Sequence, residues 1–223
     1  MIDLTTPAGR IVSAALGLAG ERPWSDVTLA DIAARAGTSL VDLRGQFGSK
    51  GAMLAAFTRL VDDEVVRRAP RREPAQAPRD ALFEVVMSRF DVLEPYKGAL
   101  RSITSGGLPE PMQALTVLAS QRWMLEAAGI GTDGLDGGVK IAGLASVYAS
   151  VFRTWLADDD AGLARTMAAL DRRLRRGERS MQRMDELCKG ATRVADAIGG
   201  LFRARPSAPP PASAPPPASP GAV

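Results

Sequence analysis

Residues 27–57 read VTLADIAARAGTSLVDLRGQFGSKGAMLAAF, and this stretch decides the fold. Thr28 and Asp31 stand at capping-box spacing, with Asp where Glu or Gln is usual, so a helix opens at Thr28. Leu29, Ile32, Ala33 and Ala36 give it one apolar face, and Gly37 suits the left-handed residue that stops a helix. Ser39 and Asp42 repeat the cap at once, and Leu40, Leu43 and Phe47 follow on one face. Gly48 breaks that helix, and Ser49 starts a longer one with Met53, Leu54, Phe57, Leu60, Val61 and Val65 inside. Two abutting short helices, the second offered to solvent, are therefore expected over residues 28–47. That is the mechanical core of a helix-turn-helix.

Working outward, Thr6 caps a first helix with Pro7 at its first position, where a missing N–H costs nothing. Ile11, Val12, Ala15, Leu16 and Ala19 make its apolar stripe, and Gly20 is expected to end it. Residues 69–79, APRREPAQAPR, read as a loop or hinge. Helical stretches are expected near 80–94, 109–128, 137–157, 161–184 and 191–203, with breaks at Pro95, Gly106–Gly107, 129–138 and 158–160. From Pro206 to Val223 the chain is nearly all Pro, Ala and Ser, a composition that cannot bury a core and is expected to be disordered. The expected divisions are thus 1–68, 78–203 and 206–223.

Composition agrees with an all-α class. Ala, Leu and Arg are abundant, while aromatic residues make up 5% of the 223 residues. There is no histidine, which removes Ser-His-Asp and Cys-His nucleophile systems and His-ligated zinc. No carboxylate pair, metal cluster or nucleophile–base pair stands out, so neither an enzyme nor a cofactor is expected. The single cysteine, Cys188, allows no intrachain disulfide and fits a reducing cytoplasm. The N-terminus carries no basic segment followed by an apolar run, and no stretch is apolar enough to span a bilayer. A net charge of +3 permits a polyanionic partner without demanding one.

Three other signals have plainer readings. Residues 129–134, GIGTDG, match a dinucleotide-loop pattern, but a helix and not a strand precedes them, so they read as a flexible loop. Asp158–Asp159–Asp160 lacks calcium-loop spacing and reads as acids at a helix start. Arg172, Arg173, Arg175, Arg176 and Arg179, balanced by Asp171 and Glu178, read as a solvated helix face.

The pattern Thr28, Ile32, Ala33, Ala36–Gly37, Ser39, Leu43, Phe47, Ser49–Lys50 and Leu54 resembles the N-terminal motif of the TetR family of transcriptional regulators. The resemblance implies an all-α, TetR-like fold: a three-helix helix-turn-helix domain on a C-terminal helical bundle. It also implies a homodimer paired through its last two long helices, an operator in double-stranded DNA, and a pocket in the body for a small apolar ligand. By position, Thr28 and Lys50 would contact phosphates, Ser39, Leu40 and Val41 would sit near base edges, and Arg44 would lie near the backbone. Arg44 stands where the family commonly has an aromatic residue, usually Tyr. Asp42 in the same helix opposes DNA, and Leu40 and Val41 cannot hydrogen-bond bases, so the reading helix carries no net positive charge. Large residues of the body, Trp123, Met124, Tyr148, Phe152 and Trp155, are the expected pocket lining. Gly143, Ala145 and Ala149 are small enough for close helix approach.

A second resemblance lies in residues 152–178, FRTWLADDDAGLARTMAALDRRLRRGE. Trp155, Asp158, Thr166, Leu170–Asp171 and Arg172–Arg173–Leu174 resemble the C-terminal helices of a TetR-fold accessory protein family of ubiquinone biosynthesis. That resemblance implies a fold that binds lipid in place of DNA, with peripheral membrane contact. Residues 191–205 supply the matching segment, with Val194, Ile198, Leu201 and Phe202 on one side and Arg193, Arg203 and Arg205 as basic flank.

Overall fold

The computed structural model describes residues 4–69, 75–105 and 111–179, and the described regular structure is helical throughout. The segment 191–205 and the Pro-rich tail lie outside the described residues. Residues through Glu178 form one unit.

Helix α1 spans Pro7–Glu21. The Thr6 hydroxyl accepts from Gly9 N at 3.0 Å, Pro7 takes the first turn, and Ile11, Val12, Ala15, Leu16 and Ala19 are buried. It runs one residue past Gly20, because glycine weakens a helix interior without forbidding it. Helices α2 (Leu29–Ala36) and α3 (Leu40–Gln46) follow, and α4 (Lys50–Arg68) leads out of them. Helix α4 buries residues on two sides, Met53 and Val65 among them, and packs most extensively on α7 (Pro111–Ala127), then on α5 (Pro78–Leu93) and α1.

Between α5 and α7 the structure adds a helix that the sequence reading leaves out, α6 (Lys97–Ser105). Pro95 was expected to break the chain there. It instead occupies the start of a 3-10 turn, Glu94–Tyr96, where its fixed φ and absent N–H cost nothing, and both flanking residues stay right-handed helical. The chain bends and continues. Helix α6 then packs on α1.

Helix α8 (Leu135–Leu156) packs on α7, and a ninth helix, α9, runs from 164 to 179 within the described residues. The core between α5 and α8 is aromatic. Phe90 stacks on Tyr148 and Trp155 with centroids 5.6 and 5.3 Å apart, and Phe152 lies 5.8 and 5.4 Å from the same two rings. Such pairs add roughly 0.5–1.5 kcal/mol each beyond burial. The loop at 129–134 folds back over the start of α8, with Gly129 and Gly134 at positive φ. The Asp158–Asp160 turn starts α9: Asp158 accepts from Thr166 N and its hydroxyl at 2.9 and 2.7 Å, and Asp160 accepts from Ala164 N at 3.1 Å.

Candidate nucleic-acid interface and ligand cavity

The helix-turn-helix is built by its caps. Asp31 N donates to the Thr28 hydroxyl at 3.1 Å, while Thr28 N and the same hydroxyl donate to Asp31 at 2.9 and 2.7 Å. Gly37 stops α2 at φ 66, and Thr38 N reaches back to Ala33 O. Asp42 N then donates to the Ser39 hydroxyl at 3.1 Å, which itself donates to the Asp42 carboxylate at 2.6 Å. Leu43 and Phe47 anchor α3 in the core, leaving Leu40 52% and Val41 80% exposed, with Arg44 also in water. A short helix pinned on one face and open on the other has the shape that enters a major groove.

Its electrostatics are restrained. Thr28's hydroxyl and amide hold the Asp31 carboxyl below its ordinary value, and Asp31 also pairs with Arg22 at 2.6 Å. Lys50 is drawn inward: Nζ donates to Trp24 O and Val27 O at 2.6 and 2.8 Å and lies 4.1 Å from the Trp24 ring centre. Over residues 1–50 the bases Arg10, Arg22, Arg35, Arg44 and Lys50 are matched by Asp3, Glu21, Asp26, Asp31 and Asp42. Phosphate neutralisation dominates DNA affinity, so affinity from this chain alone is expected to be modest.

A cavity of about 810 Å³ lies between α4, α5, α6 and α8. Tyr148 and Phe152 line it, as do Leu54, Phe57 and Ile103. The other three expected pocket residues do not. Met124 and Trp155 are 1% and 0% exposed, sealed in the core by neighbouring helices, and Trp155 Nε1 donates to Glu94 at 3.0 Å. Trp123 is 56% exposed, because its position on α7 faces away from the bundle, toward a groove beside α1 and α4.

The lining also holds residues the sequence reading passed over. Trp24, Lys50, Arg89 and Arg153 all border the cavity. Arg89 is 4% exposed; Nε donates to the Tyr148 hydroxyl at 3.0 Å and Nη1 to Asp62, which also accepts from the Ser120 hydroxyl at 2.5 Å. Burial pushes the Tyr148 phenol up, so it stays neutral. One signal for Arg89 was present in sequence: it falls on the helix face set by Leu82, Val85, Val86, Phe90 and Leu93, where a charge must be paired. Among the described residues no cluster of three or more Cys, Asp or Glu is placed to hold a metal ion, and no helix is long and apolar enough to cross a membrane.

Helix α6 joins the parts. Ser102 donates to Arg22 O at 3.1 Å and accepts from Trp24 N at 3.0 Å. One turn back, Lys97 donates to Asp158 O at 2.7 Å, and Arg101 donates to Leu156 O and Asp159 at 2.6 and 2.5 Å.

Residues 11–57 match the sequence family described as bacterial regulatory proteins, tetR family. Among solved structures, a TetR transcriptional regulator from Nitrosomonas europaea aligns with TM-score 0.61 at 23% identity, over 77% of this chain and 97% of that one. A TetR transcriptional regulator from Rhodococcus sp. RHA1 aligns with TM-score 0.58 at 22% identity, over 75% and 93%. No curated protein matches the sequence. The helix-turn-helix thus matches the tetR family over residues 11–57, and the described fold is similar to that of two TetR transcriptional regulators.

Proposed function

We propose that the protein is a homodimeric, non-enzymatic transcriptional regulator of the TetR type, which binds a DNA operator and responds to a small apolar ligand. In this reading residues 1–68 face DNA, and 78–203 hold the ligand and the dimer contact. The observation that carries it is α3, fixed through Leu43 and Phe47 while Leu40, Val41 and Arg44 stand in water. Two such helices in a dimer would enter successive major grooves roughly 34–36 Å apart. A ligand that prefers one spacing shifts the population between them. Thr28, Ser39 and Lys50 are assigned phosphate-side or groove-edge positions by the same reading. Their present hydrogen bonds are internal, so contact with DNA requires exchange of partners.

Titration against genomic fragments at several salt concentrations tests the proposal. A specific complex that weakens with salt is expected, and Arg44→Ala should weaken it on every sequence and reduce the salt slope by about 1. Absence of any specific complex at low salt refutes it. The charge balance over residues 1–50 favours one second reading, a TetR-fold lipid-binding accessory protein. Copurified isoprenoid lipid in mass spectra of the full chain, together with no DNA complex, would establish that reading in place of the first.

A further inference from the structure

The charged groups around the cavity all have one sign. Lys50, Arg89 and Arg153 border it, and no carboxylate does among the described residues. Asp62 touches Arg89, where Ser120 also binds it, but it is not part of the lining. Arg89 is the built element. It is 96% buried, two of its three guanidinium nitrogens are held by Tyr148 and Asp62, and Nη2 makes no hydrogen bond among the described residues. Nη2 is not sealed from solvent, so an anionic oxygen of a ligand can reach it in a charge-assisted hydrogen bond. Arg153, one helical position beyond Phe152, is exposed and makes no ion pair or hydrogen bond among the described residues. The rest of the wall is mostly hydrocarbon and aromatic ring, with the uncharged hydroxyls of Ser25, Thr58 and Thr104 among it. Apolar walls with a few cationic donors select a molecule with a long apolar part and an anionic oxygen group.

We infer that the cavity takes an apolar carboxylic acid, its carboxylate received by Arg89 and Arg153 and its chain laid along Phe57, Ile103 and Phe152. This names the class of the ligand and rests on the reading that the cavity binds a small apolar molecule. It is independent of whether the protein binds DNA.

The test compares dodecanoate, dodecanol and dodecyltrimethylammonium on the full chain, without DNA, by calorimetry. Dodecanoate is expected to bind at least tenfold tighter than dodecanol, and the cation least. Arg153→Gln, at an exposed position, should cut the acid-to-alcohol ratio severalfold and leave dodecanol unchanged. Arg89→Lys should do the same if folded, and the wild-type ratio decides the matter if it is not. Dodecanol binding as tightly as dodecanoate, or the cation binding best, overturns the carboxylate assignment while leaving an apolar-ligand cavity intact. No binding by any of the three overturns both.

Discussion

At the scale of single residues, the buried ion pair sets the stakes. Asp62 and Arg89 are 8% and 4% exposed and join α4 to α5. Removing one partner strands the other, so Arg89→Met should cost about 3–5 kcal/mol in urea unfolding, and adding Asp62→Leu should recover most of it. Asp158 behaves differently. Thr166, through its hydroxyl and then its amide, holds that carboxyl below its ordinary value. A depressed carboxylate contributes stability that is present above its unfolded pKa of ~4 and lost as pH falls through the folded one. Unfolding midpoints from neutral pH to below ~4 should therefore fall more steeply for the wild type than for Thr166→Val. Arg89 also marks the limit of what sequence offers. Its place on an apolar face announced a buried charge, but its partners lie 27 and 59 positions away and only packing brings them together.

Individual elements were the most legible part of the chain, because caps are local chemistry. The Thr28–Asp31 box, the Gly37 stop and the Ser39 cap all stand where residue types placed them. Helix α6 was hidden because Pro95 has two meanings, stop or first turn, and the choice depends on what the next helix packs against. The cavity lining was hidden for a related reason: large side chains on α7 and α8 show their size in sequence but not which side of the bundle they face. Two glycines in the reading unit make opposite predictions. Gly37 sits at φ 66, where a Cβ is strained although nothing crowds it, so Gly37→Ala should destabilise by about 1 kcal/mol. Gly45 is within α3 and equally uncrowded, so Gly45→Ala should stabilise by about 0.5–1 kcal/mol. Thermal unfolding of the two variants, run side by side, reads the sign directly.

Across the described molecule, α6 is the strut. Its first residue, Lys97, and its middle residue, Arg101, are tied to the turn before α9, and Ser102, next to Arg101, is tied to the turn after α1. A change in the cavity wall at Ile103 or Thr104 is one residue or two from that clamp. Ser102→Ala removes both hydrogen bonds and leaves Trp24 N without its acceptor, at a cost of about 1–3 kcal/mol. Hydrogen exchange at the Trp24 amide should then accelerate well beyond that of Asp26, whose amide is bonded to Pro23 O and does not depend on the clamp. Equal rates in variant and wild type would show that the seam is held elsewhere. The three indoles make such events visible. Trp155 is sealed and should emit toward the blue, out of reach of iodide, whereas Trp123 is open to collisional quenching. Trp24 lies between them in exposure, at the rim of the cavity and against the Lys50 ammonium, so its emission registers occupancy of the cavity without any attached dye.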